Sequence, residues 1–121
     1  MIKKLKFMGI CVADQKRALK FYTEKLGFEV FTDQPFNDKQ RWIELKIPGG
    51  ETGIVLFTPE GHEDRVGGFV NGSFICDDLH TTYQTLKARG VDCTDGVKEE
   101  PWGSYLIIKD SEGNQLCLSG R

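Results

Sequence analysis

The chain repeats itself, and that repeat limits the folds open to it more than any other feature. Met8–Asp14 (MGICVAD) is a short apolar run closed by an aspartate, and the stretch after it ends in Leu26-Gly27-Phe28. Gly72–Asp78 (GSFICDD) is a second such run, and the stretch after it ends in Arg89-Gly90-Val91. The two aspartates stand 64 positions apart (78 − 14) and the two glycines 63 (90 − 27). A pattern recurring in this order across half a chain marks two copies of one supersecondary unit.

Each copy carries helix signals. Asp14 and Asp78 can accept hydrogen bonds from the free amides of a first turn, and their charge suits the positive end of the helix dipole. Ala18, Tyr22 and Leu26 recur every four residues, broadened by Leu19 and Phe21, and Leu79, Tyr83 and Leu86 follow the same helical spacing. Gly27 and Gly90 suit the left-handed residue that ends a helix. The remainder predicts strands. Arg41–Ile47 alternates strictly, with Ile43, Leu45 and Ile47 on one face and Trp42, Glu44 and Lys46 on the other. Pro48-Gly49-Gly50 breaks that run and Gly53–Phe57 returns it; Tyr105–Lys109, the turn 110–114 and Gln115–Leu118 are the counterpart. Short strands are expected after the helices at Glu29–Asp33 and Asp92–Gly96. Each copy is therefore strand, helix, strand, strand, strand, with modules at 3–59 and 68–120 and a Gly-rich, charged connector at 60–67.

One such module cannot cover both faces of its sheet. Two side by side make an α+β domain: a curved mixed sheet forming a trough, with the helices on its outer face. The 121 residues suit that single domain. Lys+Arg 16 against Asp+Glu 18 gives a net charge of −2, which argues against a nucleic-acid binder needing a basic stripe. No apolar run approaches the roughly 20 residues that cross a bilayer, and the start lacks a signal peptide's apolar stretch, so no membrane partner and a cytoplasmic location are expected. The four cysteines, Cys11, Cys76, Cys93 and Cys117, form no CxxC pair and are expected as reduced, mostly buried thiols.

The stretches FMGICVADQKRALKFYTEKLGFEV and FICDDLHTTYQTLKARGVDC, with the closing hairpin WGSYLIIKDSEGNQLCL, resemble the vicinal oxygen chelate superfamily over nearly the whole chain. That group includes glyoxalase I, bleomycin-resistance proteins, extradiol dioxygenases, fosfomycin-resistance proteins and methylmalonyl-CoA epimerase. The resemblance implies the glyoxalase/bleomycin resistance fold. In metal-using members four inward side chains, usually His, Glu, His and Glu, hold one divalent ion from the first and last strands of each module. Carried onto this sequence, the positions fall on Phe7, Val55, Asn71 and Cys117. Phe and Val have no lone pair, Asn is a weak neutral donor, and one thiolate beside one amide makes no site. One residue either way gives Lys6 or Met8, Ile54 or Leu56, Val70 or Gly72, and Leu116 or Leu118, which restores nothing. No metal and no cofactor are expected.

Other residues suit a ligand pocket better. Trp42, Glu44, Val55 and Phe57 share the expected trough face with Phe7, while Trp102 and Tyr105 flank the start of the penultimate strand. Trp and Tyr offer flat apolar surface with one polar tip, useful for a planar or amphipathic ligand; the same rings can equally fill the trough or a subunit interface. Glu44, walled by Phe7, Trp42 and Phe57, is the one weak candidate for acid–base work, and could instead pair with Arg41 or Lys46. His62 in the connector and His80 at the second helix start read as surface residues. Resemblance to the bleomycin-resistance branch implies a homodimer that sequesters a small molecule without altering it. The alternative is a glyoxalase-like lyase, isomerase or dioxygenase acting on a small metabolite; a third is a dimeric scaffold without a small ligand.

Overall fold

The computed structural model describes residues 1–120. The chain forms two compact units, Met1–Val66 and a second beginning at Gly67. The first contains β1 (Phe7–Cys11), α1 (Gln15–Glu24), β2 (Glu29–Pro35), β3 (Arg41–Lys46) and β4 (Gly53–Phe57). Its strands bond in the order β1-β4-β3-β2, with β1 parallel to β4 and the other pairs antiparallel. The second contains β5 (Phe69–Ile75), α2 (Leu79–Ala88), β6 (Lys98–Glu100), β7 (Gly103–Lys109) and β8 (Gln115–Ser119), ordered β5-β8-β7-β6 with the same pattern of directions. Each unit is a βαβββ module, a mixed four-stranded sheet with one helix, and the chain is α+β. A single 3₁₀ turn, Glu63–Arg65, precedes the second module.

The repeated aspartates cap the helices as their chemistry predicts. Asp14 Oδ1 accepts from the Arg17 amide at 3.0 Å and Asp78 Oδ1 from the Thr81 amide at 3.1 Å. Gly27 and Gly90 stand at φ 78° and 83°, where a Cβ would be strained, and so turn the chain out of each helix. In the first module α1 packs on β4; Ala18 and Tyr22 of the helix and Ile43, Leu45, Ile54 and Leu56 of the sheet are all buried. Register makes that face continuous: Ile43 lies opposite Leu56, and Leu45 opposite Ile54. In the second, α2 packs on β7, where Leu106 lies opposite Leu118 and Ile108 opposite Leu116, all four buried.

The structure corrects the strand expected at Asp92–Gly96. Asp92 makes one isolated bridge to Lys109, and the segment then turns: Asp92 Oδ1 accepts from the Thr94 amide at 2.9 Å, and the Gly96 amide donates to the Cys93 carbonyl at 2.9 Å. Thr94 and Gly96 both lie at positive φ, 50° and 78°. An aspartate that bonds its own backbone two residues on offers the chain an alternative to a ladder, and the strand forms later, at Lys98–Glu100. The alternating run also ends at Lys46 rather than Ile47. Of the four cysteines only Cys93 is fully buried; Cys11, Cys76 and Cys117 are half-buried.

Candidate ligand-binding cavity

The alternation that sends Ile43 and Leu45 to the helix sends Trp42 and Glu44 to the opposite face of the first sheet. Register brings Val55 beside Glu44 and Gly9, and Phe57 beside Cys11, on that same face. There the module holds a cavity of about 270 Å³. Phe7, Gly9, Arg41, Trp42, Val55 and Phe57 line it from the strands, and Phe36 and Gln40 from the β2–β3 connection. The rings are set at angles rather than stacked: Phe7 meets Trp42 edge to face at 5.7 Å and 75°, and Phe36 lies 6.1 Å from Trp42 at 37°. Such an arrangement offers an incoming group both ring edges and ring faces.

Two glutamines hold the β2–β3 connection in place. The Gln40 amide donates to the Thr58 carbonyl at 3.0 Å while its Oε1 accepts from the Thr58 amide at 3.0 Å. Gln15, the first residue of α1, donates to the carbonyls of Arg41 (2.8 Å) and Leu56 (2.9 Å), and its Oε1 accepts from the Arg41 amide at 2.9 Å. Within the turn, Asn37 Oδ1 accepts from the amides of Lys39 and Gln40 at 2.8 and 3.0 Å. Arg41 is engaged elsewhere: its Nε donates to Asp33 Oδ1 at 2.5 Å and its Nη2 to the Asp33 carbonyl at 3.3 Å. Lys46 pairs with Glu29 at 3.7 Å. The two cations offered to Glu44 by the sequence thus face other carboxylates. Glu44 itself is 9% exposed and lies on the cavity's sheet face but outside its lining.

Of the residues singled out from the sequence, Phe7, Trp42, Val55 and Phe57 meet around this one cavity. Glu44 is on the same sheet outside the lining, and the other pocket candidates, Asn71, Trp102, Tyr105 and Cys117, belong to the second module. Cys117 lies opposite Ser73, whose Oγ is 3.6 Å from the Cys117 Sγ and 2.5 Å from the Ser119 Oγ. Asn71 sits on β5. Trp102 stacks on Tyr105 at 5.6 Å and 12°, and is 74% exposed. His62 is exposed, and so is His80, which meets Glu99 at 3.0 Å. Sequence reasoning missed Phe36, Gln40, Arg41 and Gly9. Phe36 and Gln40 come from a turn, where no periodicity marks which way a side chain points, and Arg41 opens β3 at its edge. Gly9 did carry a signal: a glycine inside a strand often marks a close approach, and here the Phe57 ring lies over it.

The residues present do not fit the divalent ion that the resemblance implies. Phe7 and Val55 line the cavity as hydrocarbon, and Asn71 and Cys117 supply one amide and one thiol. Among the described residues, no group of three or more His, Cys, Asp or Glu side chains gathers where it could hold an ion. The other thiols are poor ligands and nucleophiles. Burial pushes Cys11, Cys76 and Cys93 above the usual thiol range, against the lowering pull of Arg65 on Cys11 and of a Thr82 hydrogen bond on Cys76.

Two tandem βαβββ modules, each a mixed sheet backed by one helix, define the architecture of a known superfamily of small-molecule enzymes and binding proteins. The chain belongs to the Glyoxalase/Bleomycin resistance protein/Dioxygenase superfamily, whose family model matches residues 4–118. It is similar to YetH of Bacillus subtilis (strain 168), at 32% identity over 98% of both chains. Among solved structures it resembles a superfamily member from Sphaerobacter thermophilus DSM 20745, with a TM-score of 0.90, 33% identity, and 99% and 98% of the two chains covered. It also resembles TnmS3, an antibiotic binding protein from Streptomyces sp. CB03234, with a TM-score of 0.85, 30% identity, and 98% and 96% covered. Among the described residues, no helix is long and apolar enough to cross a membrane.

Proposed function

We propose that this protein is a metal-free, homodimeric binding protein that sequesters a small molecule and leaves it chemically unchanged. One observation carries the reading: where the superfamily's metal users place ion ligands, the first module has Phe7 and Val55, and both line an aromatic cavity. Hydrocarbon at those positions removes the Lewis acid and supplies contact surface in its place. The likeness to TnmS3, an antibiotic binding protein, supports binding over turnover. Exposed Phe31, Phe69, Ile75 and Trp102 support a second copy covering apolar surface that water disfavours. Four free cysteines support a reducing, cytosolic setting. Asn71, Trp102, Tyr105 and Cys117 remain proposed ligand contacts from the second module. Glu44, nearly buried near Trp42, is the group through which a metal-independent lyase or isomerase reading would act.

Thermal-shift measurements with Zn²⁺, Ni²⁺, Mn²⁺ and Fe²⁺ test the metal-free state: no rise in Tm is expected, and a rise reversed by chelator would overturn it. Any compound that stabilises the protein should be recovered intact by mass spectrometry after prolonged incubation. A chemically altered compound would convert the binding protein into an enzyme. Sedimentation equilibrium should give twice the chain mass of 13.7 kDa.

A further inference from the structure

We propose that the cavity of the first module takes an uncharged, planar aromatic group of about two fused rings and discriminates against versions of the same group that carry a carboxylate or an ammonium. The proposal rests on the cavity being the ligand site. Its lining contains two polar side chains, Gln40 and Arg41. Both ends of the Gln40 amide bond the Thr58 backbone, and the Arg41 guanidinium spends two of its five N–H groups on Asp33, whose carboxylate offsets its charge. What faces the ligand is therefore Val55 and the rings of Phe7, Phe36, Trp42 and Phe57. A cation entering such a space leaves its water without gaining a partner, and an anion meets only a guanidinium already paired with Asp33, a heavy penalty for either in an apolar site. A neutral group loses little.

Shape narrows the class further. Small-molecule sites span roughly 300–1,000 Å³, and a cavity of about 270 Å³ lies just below that range, enough for two fused rings. The 75° and 37° settings of Phe7 and Phe36 about Trp42 present edges and faces together, which a flat ring answers with its own quadrupole and a saturated ring does not. Two carboxylates on this sheet face lie outside the lining, Glu29 and Glu44; Glu29 is paired with Lys46, so Glu44 is the group that would favour a cation and the test must include it.

Titration of the full ¹⁵N-labelled chain, read at the indole N–H signals, separates these claims. The probes are 2-naphthalenemethanol, 2-naphthoate, 2-naphthylmethylammonium and the saturated decahydro-2-naphthalenemethanol. The neutral aromatic should move the Trp42 signal and not that of Trp102, with a Kd at least tenfold below the other three. Trp42→Ala should abolish saturable binding, and Phe36→Ala, at a 62% exposed position outside the buried core, should weaken it several-fold. Equal or tighter binding of either ion overturns the charge claim while leaving the cavity as the ligand site; if Glu44→Gln then removes a preference for the ammonium, the specificity belongs to Glu44. Equal binding of the saturated probe overturns planarity. No movement of Trp42 with any probe overturns both this proposal and the cavity as the site.

Discussion

A Cβ built on Gly9 would stand 2.8 Å from Cε1 of Phe57, closer than a methyl and a ring carbon can approach. The Phe57 ring packs this close to β1 only because position 9 has no side chain, and both residues line the cavity. Gly9→Ala should push the Phe57 ring into that space. Because a ring end can move, the cost to stability should be modest, about 1 kcal/mol. Affinity for any cavity ligand should fall at least tenfold. Parallel unfolding and binding titrations on the variant check both halves of this expectation.

Gln40 should matter to binding without touching ligand. Its two bonds to Thr58 tie the tip that carries Phe36 to the end of β4. Gln40→Ala removes both and leaves partly buried backbone groups to find water, which should cost about 1–2 kcal/mol. Amide exchange should accelerate at Thr58. Gln40→Glu keeps the acceptor and loses the donor, so it should fall between wild type and alanine in ligand affinity.

Acid should weaken the second helix through its cap. The Thr81 backbone amide, followed by the Thr81 hydroxyl, holds the Asp78 carboxyl below its ordinary value of 3.8. A depressed carboxyl pKa contributes stability that is complete above the unfolded value and disappears as pH falls through the folded one. Asp78→Ala should therefore lower Tm at pH 7 by an amount that shrinks toward zero well below pH 3.8. Asp78→Asn, which caps without titrating, should lose less at pH 7, and its deficit should close at a higher pH than alanine's and reverse as the wild-type carboxyl protonates. Thermal melts of the three proteins from pH 2 to 7 read this directly.

Two positions, Tyr22 on α1 and Gly53 at the start of β4, should be the least tolerant in the first module. Tyr22 is fully buried and packs edge-on against Phe21 at 5.3 Å, with Phe28 at 5.9 Å. Tyr22→Ala should cost about 3–5 kcal/mol, the range for emptying an aromatic site in a core. At Gly53 a Cβ would collide with the Leu45 carbonyl oxygen, a backbone atom held in the β3–β4 ladder. Gly53→Ala should cost about 1–3 kcal/mol. Chemical denaturation with an unchanged m-value would confirm that both act on the native state.

Much of this molecule is readable from composition and spacing because the forces involved are local. The Asp14 and Asp78 caps, the glycine stops and the alternation of Arg41–Lys46 each depend on neighbours within a few residues. They were sufficient for both βαβββ modules and for the aromatic face that carries Phe7, Trp42 and Phe57. The reading failed where a side chain competed with the ladder, at Asp92–Gly96.

The repeated module, the capping of its helices and the loss of donor chemistry at Phe7 and Val55 are written in the order of residues. Long-range bonds, from Gln15 to Arg41 across 26 positions and from Gln40 to Thr58 across 18, fix the β2–β3 turn against the sheet, adding Phe36 to the wall, tying both ends of the Gln40 amide and pairing Arg41 with Asp33. Hydrogen bonds between residues so far apart leave no periodic trace along a chain. Which polar atoms remain free to meet a ligand is settled when the fold has satisfied its own.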